Sequence, residues 1–280
     1  ETALTSIDAD VTQFATFVTY GLTNRLDVSF AVPIVDAELD LVSVANIERI
    51  GTVNLNPDCD PPTPDCLLVH FYDDDGNPGD TRIFRSSGSA SGIGDMIIRM
   101  KGTAVKTDSV GIALGIDLRL PTGEEEDLLG TGALGLKPFV AMSFPHAKGA
   151  THLNFGYQWN DDSVLAGDVV RGIKGDLPDQ ATLAVGVDLG LSEKVTLALD
   201  FLGQSVIDSP QLVRSTFSAA DGSTFDDIDF VEETFFTSRG SIGLKVKAGP
   251  VLLSFNGLFN LGDHGLTDDF TPLIGLEYAF

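Results

Sequence analysis

Acidic and basic side chains recur at every second position inside otherwise apolar segments of this chain. Asp95, Arg99 and Lys101 fall in one such segment, Asp117 and Arg119 in the next, and Lys137 in the one after. Asp188, Asp200, Arg239, Lys245, Lys247 and Glu277 repeat the arrangement through the second half. Charges of both signs gathered on one face must be paired or hydrated. Two compatible chemistries follow: a salt-bridge network bracing a narrow interior, and a polar lining that selects a solute passing along it.

Other residue types that do chemistry are sparse. The histidines are His70, His146, His152 and His264, and they form no ligand-spaced cluster. His152 could act as the base for a serine nucleophile, but ordinary hydrogen bonding is the simpler reading. No nucleophile elbow, phosphate loop or HExxH motif is present, so no catalytic residue, metal site or cofactor is expected. DDDGN at Asp73–Asn77 is a fragment of a calcium-loop pattern without its downstream Glu. Cys59 and Cys66 sit in DCDPPTPDC, too rich in Pro and Asp for a strand interior. A disulfide between them would stabilise this small loop by about 2–3 kcal/mol on a chain-entropy treatment and implies an oxidising compartment. A metal site lacks further Cys, or a His at ligand spacing.

The charged segments need elements to position them, and the pattern that recurs is period two. In His152–Asn160, Leu153, Phe155, Tyr157 and Trp159 alternate with His152, Asn154, Gly156, Gln158 and Asn160. Ile116, Leu118 and Leu120 oppose Asp117 and Arg119, and Ile242, Leu244 and Val246 oppose Arg239, Ser241, Lys245 and Lys247. The closing stretch, Thr271–Phe280, sets Ile274, Leu276, Tyr278 and Phe280 against Gly275 and Glu277. Each is a β-strand with one greasy and one polar face. A soluble sandwich alternates too, but here small residues and Gly sit among the charges, as in a crowded barrel lumen.

Totals agree with that division. The net charge is −24 while 43% of residues are hydrophobic and mean hydropathy is +0.15, so apolar and charged residues are segregated rather than blended. No run approaches the ~20 apolar residues of a membrane-spanning helix, and the acidity argues against nucleic acid. Glu1 follows no basic n-region or apolar h-region, which predicts a processed or trimmed start.

Connections alternate strictly between tight and long. Thr23–Arg25, Thr107–Ser109, Ala147–Gly149, Ser192–Lys194 and Ala248–Pro250 are tight. The intervening links, at about 51–91, 121–133, 161–179, 208–234 and 262–270, are long and hold well over half of the 41 acidic residues. Short turns on one side and long loops on the other are the topology of an outer-membrane barrel. The expectation is an all-β, transmembrane, antiparallel up-and-down β-barrel of about twelve strands, with short periplasmic turns and long acidic extracellular loops. Residues 1–280 form one domain with a long extracellular insertion at about 51–91. Eleven strands are plain, from Val11–Leu22 onward; Glu1–Ser6, beyond the polar corner Asp8–Asp10, supplies a twelfth. A change of apolar parity between Val28, Phe30, Val32 and Ala37, Leu39, Leu41 predicts a bulge near Pro33.

GIGDMIIRMKGTAV, a tight turn, and GIALGIDLRLPTGEEEDLLGTGALGLKPFVAMS together resemble the outer-membrane family named for the meta pathway of phenol degradation and labelled as transporters. YGLTNRLDVSFAVPIV is similar to that family's second hairpin. The resemblance covers Val11–Ser143 and implies passage of small, often aromatic, compounds across a Gram-negative outer membrane. The function expected is thus a porin-like outer-membrane channel passing a small solute, aromatic or hydrophobic by that resemblance, among outer-membrane lipid and lipopolysaccharide. The alternative is a non-conducting scaffold barrel whose loops bind a surface partner or self-associate as a homo-oligomer.

Overall fold

A computed structural model describes residues 2–47, 72–74, 77–218, 222–262 and 268–279. Cys59, Cys66, His70, His264 and Phe280 lie outside the described residues, as does most of the insertion expected at 51–91.

Among the described residues the chain is strand and turn throughout. In order the strands are β1 (Thr2–Thr23), β2 (Leu26–Asn46), β3 (Tyr72–Asp74), β4 (Asn77–Gly79), β5 (Thr81–Ile93), β6 (Met96–Lys106), β7 (Gly111–Leu120) and β8 (Gly135–His146). They continue with β9 (Gly149–Asn160), β10 (Asp162–Asp168), β11 (Ile173–Asp176), β12 (Gln180–Gly190), β13 (Val195–Ser218), β14 (Thr224–Ala248), β15 (Val251–Asn260) and β16 (Phe270–Tyr278). Twelve of them form one sheet in the order β1-β2-β6-β7-β8-β9-β12-β13-β14-β15-β16, with β5 also on β2; β3–β4 and β10–β11 are separate hairpins. Every pairing is antiparallel.

The five tight connections fall where the sequence puts them, and side-chain oxygens close three of them. Thr23 Oγ1 accepts from the Arg25 amide at 3.1 Å. Thr107 Oγ1 accepts from the amides of Ser109 (3.3 Å) and Val110 (3.0 Å). Ser192 Oγ accepts from those of Lys194 (3.3 Å) and Val195 (3.2 Å). Such ST-turns need only a hydroxyl two residues ahead of a free amide. Gly249 turns the last of the five at φ +65°.

Three expectations are corrected. Thr2–Ser6 is not a separate strand: it continues β1 and pairs with Val42–Asn46 of β2. Nor does β2 bulge at Pro33, since its ladder with β1 runs unbroken from Asn46 to Asp27. The extra residue sits on the partner side, where Ile34 faces Ile93 but Ala31 faces Ile97, so β5 and β6 are two halves of one crossing kinked at Gly94–Asp95. The change of apolar parity in β2 marks a change of surroundings at constant register. Finally, the link at 208–234 is largely strand: β13 and β14 stay paired out to Ser218 and Thr224, past a register shift between Val206 and Ser209. A crossing takes about 9–11 tilted residues, so the 24 residues of β13 and 25 of β14 project well beyond one. Bulges bend and re-aim a strand, and the β13–β14 hairpin carries its own where it passes the length of one crossing.

With β5 and β6 counted as one crossing, the described residues make eleven crossings along the sheet. An odd number leaves β1 and β16 running in the same direction, and among the described residues no ladder joins them. Glu277 faces Leu252 of β15 and, among the described residues, has no ladder partner on β1.

Burial shows which face is concave. Phe139, Ala198, Val35, Ala37, Asp117 and Ser241 are buried and share the polar face by register, whereas Ile274, Leu276, Phe155, Ile242 and Leu244 on the other face are exposed. The sheet curls around its polar side and presents its apolar side outward, the inverse of a soluble protein's economy and the arrangement that lipid stabilises.

Candidate functional site

The concave face carries the candidate site. Register places Arg99 opposite Asp117 and Asp117 opposite Lys137; Lys101 lies opposite Asp27 on β2. Further round, Asp188 faces Ala198, Asp200 faces Gly186 and Ser241, Arg239 faces Leu202 and Asn260, and Lys245 faces Thr196 and Ser254. Lys247 and Glu277 both face Leu252 at the tight-turn end. The ladders bring these side chains to one face but do not spread them evenly: they gather into two clusters.

The first is built on β6, β7 and β8. Arg99 donates from Nε and Nη2 to the two carboxylate oxygens of Asp117, each at 2.7 Å, a bidentate pair. The guanidinium carbon also lies 5.0 Å from the centroid of the Phe139 ring. That ring reaches down onto Gly115, where a Cβ would collide with it. Glycine is thus required at 115 because an aromatic of the next strand fills its place. Arg119 donates to Asn160 Oδ1 at 2.8 Å and stands 3.7 Å from Asp95 Oδ2.

Asp95 has a role that spacing alone does not disclose. Its carboxylate accepts from the Gly123 amide (3.2 Å), the Thr131 amide (2.8 Å) and the Thr131 hydroxyl (2.6 Å). Those donors belong to the β7–β8 link, which folds back against the wall. Leu129 of that link packs on Val35 and Ala37, close to Gly92 and Gly94, where any Cβ would press on Leu129. Ser163 Oγ, at the start of β10, ties the link from the other side by donating to the Thr131 carbonyl at 2.6 Å. The long acidic loop is therefore a docked segment that narrows the concave space, pinned by one inward carboxylate.

The second cluster spans β8, β9, β12 and β14. Lys245 reaches across β13 to both oxygens of Asp188, at 3.0 and 2.9 Å, and the residue it passes over, Ala198, is 2% exposed. His152 Nδ1 is 2.9 Å from Ser143 Oγ, and its Nε2 is 3.7 Å from Asp188 Oδ2. Serine, histidine and aspartate in line suggest acyl transfer, but the distances argue otherwise. Asp188 is held by Lys245 and lies beyond hydrogen-bond reach of the imidazole. Ser143, His152 and Asp188 all sit inside paired strands, where backbone amides serve the ladder rather than an oxyanion.

Between the clusters lies a recess of ≈ 320 Å³ whose lining includes Lys137, Asn154, Thr182, Gln204, Thr237 and Arg239. Among the described residues no group of three or more His, Cys, Asp or Glu is placed to hold a metal ion. Sequence reasoning set Asn160 on the polar face of its strand without assigning it a partner, and missed Ser143, Phe139 and Ser163. Ser143 and Phe139 have a readable signal, since each is a polar or aromatic residue on the inward parity of a strand, but Ser163 lies in a link and has none.

Comparison with known proteins agrees with this geometry. The family described as "Putative MetA-pathway of phenol degradation" matches residues 5–172. A search of curated protein sequences finds no match. Among solved structures, the COG4313 outer membrane channel from Pseudomonas putida F1 is similar with a TM-score of 0.55 at 12% identity, over 96% of this chain and 81% of that one. At that identity the likeness speaks for the fold, an antiparallel barrel wall of the outer-membrane kind. The family match spans more than half of the chain, and the chain belongs to the phenol-degradation family so described.

Proposed function

We propose that this protein is an outer-membrane channel that lets a small solute pass passively along its concave face, and that it is not an enzyme. The observation that carries the reading is the division of faces: ladder register sets Arg99, Asp117, Lys137, Asp200 and Lys245 on one side with the buried Phe139 and Ala198, while Phe155, Ile242, Leu244, Ile274 and Leu276 stand exposed on the other. Such a wall is stable only where lipid meets the apolar face, and its polar interior gives a charged or hydrogen-bonding solute a path that lipid does not. On this reading residues 1–280 form one barrel domain, the long links and the insertion at about 51–91 face outward, and the lumen is lined by Asp95, Arg99, Lys101, Asp117, Arg119, Lys137, Asp188, Asp200, Arg239, Lys245, Lys247 and Glu277. The acidic rim meets lipopolysaccharide through bridging divalent cations.

Planar-bilayer recording tests it. Purified, folded protein should give discrete steps of current and should make liposomes permeable to small solutes. Intact bilayers that stay silent over folded protein would overturn the proposal. One observation favours a second reading: the projecting β13–β14 hairpin exposes Leu212, Ile228 and Phe230, a surface suited to self-association or to a partner. Silent bilayers with a stable oligomer that dissociates on Phe230→Ser would support that reading instead. Ester hydrolysis that survives purification and disappears in His152→Ala would restore the enzymatic one.

A further inference from the structure

We propose that the recess between the two charged clusters is a subsite for a small organic carboxylate, held by Lys137 and Arg239. This deepens the channel reading and rests on it for its role in passage, though the binding itself does not depend on conduction.

Once the ion pairs of the two clusters are formed, charges are left over on the concave face. Asp117 lies opposite Lys137 in the ladder, yet both of its oxygens are taken by Arg99. Asp95 is taken by the docked link and Arg119, and Asp188 by Lys245. Among the described residues neither Lys137 nor Arg239 has an ion-pair partner within 4.0 Å. The unpaired acid closest in register is Asp200, one rung below Leu202, and it leans across Gly186, where a Cβ would strike its Oδ1. That turns it along the rung toward β12, and it is not among the residues that line the recess.

The shape suits an organic anion better than a simple ion. The floor between the two cations includes small residues of β12, Thr182 and Ala184. Gly156 is what allows the stem of Lys137 to lie across the wall, since a Cβ there would come within 2.8 Å of Lys137 Cε. Leu202 adds an apolar side, and Asn154 and Gln204 supply amide groups. A guanidinium fork matches a carboxylate in the plane of its two oxygens, and an ammonium adds a point charge from the far side. An inorganic ion would leave most of the ≈ 320 Å³ unfilled, whereas a planar carbon body can lie on the small-residue floor.

The test is calorimetric titration of the folded, detergent-solubilised full chain with benzoate, alongside benzyl alcohol and benzylamine as the neutral and cationic probes of the same body. The expectation is saturable binding of benzoate alone, weakened about tenfold by either Lys137→Gln or Arg239→Gln, as for loss of one hydrogen bond to a charged group. Equal binding of the three probes, absence of benzoate binding by folded wild-type protein, or variants that fold and bind benzoate unchanged would each overturn the subsite. The comparison of probes on the wild type decides the matter even where a variant does not fold. Bilayers that conduct without any benzoate binding would sink the subsite and leave the channel standing. Benzoate binding over silent bilayers would do the reverse.

Discussion

Replacing Gly115 by alanine isolates the packing beneath the Arg99–Asp117 pair. A Cβ at 115 meets Phe139 Cε1 at 2.6 Å and the carbonyl oxygen of Met100 at 2.9 Å, both inside van der Waals contact. The carbonyl belongs to the β6 backbone and is fixed by the ladder, so the ring must turn away. Overpacking of this sort costs about 1–3 kcal/mol. Turning the ring also removes the surface under the Arg99 guanidinium, 5.0 Å away, a contact worth about 0.5–1 kcal/mol where it is partly exposed. Gly115→Ala should therefore lower stability by about 2 kcal/mol in urea unfolding from detergent micelles, within the range for overpacking. Phe139→Leu has its own cost, but in the double variant the clash with the ring is relieved and only the contact with the Met100 carbonyl remains. The two effects should fall short of additivity by at least about 1 kcal/mol, as expected for residues in contact. Additive effects, or a Gly115→Ala protein as stable as its parent, would refute the packing of ring on glycine.

Three further outcomes are expected. Ile242→Arg places a charge on the outward face and should cost about 2–4 kcal/mol in folding into lipid vesicles if that position lies near the bilayer midplane; unimpaired folding would contradict the assignment of faces. Asp95→Ala deprives the β7–β8 link of three hydrogen bonds, each to a charged acceptor and worth about 1.5–3 kcal/mol in general. Amide exchange at Thr131 should then rise at least tenfold and single-channel current should increase, while protection equal to the wild type would show that Asp95 does not pin the link. Cys59 and Cys66 are expected to be joined, so alkylation without reductant should leave both unmodified by mass spectrometry, and labelled thiols would exclude the bridge.

The barrel wall was legible because each of its faces has one kind of neighbour. Leu153, Phe155, Tyr157 and Trp159 repeat at period two for the length of a crossing, and charge recurs on the opposite parity, so β9 is readable from its own residues. The kink at Gly94–Asp95 was not, because it depends on which residues of β2 stand opposite. Pro33 was a plausible local cause for a change of parity, yet the register stays constant there and the surroundings change instead. The outer halves of β13 and β14 were hidden for a related reason. Beyond the length of one crossing neither face has a constant kind of neighbour, alternation lapses, and a strand such as Asp226–Phe230 has the composition of a loop. The charged positions of the site were readable as a set, but their division into Arg99–Asp117 and Asp188–Lys245 was not, since Lys245 reaches Asp188 across an intervening strand.

Current through single-cysteine variants tests directly whether the concave face is a path for solute. In a background with Cys59 and Cys66 replaced by serine, Asn154→Cys would present a thiol to the recess and Phe155→Cys would present one to lipid. A membrane-impermeant, charged thiol reagent added to conducting bilayers should block or shift the current of the first and leave the second unchanged. Current altered at Phe155→Cys but not at Asn154→Cys, or altered at neither, would contradict the lumen described here.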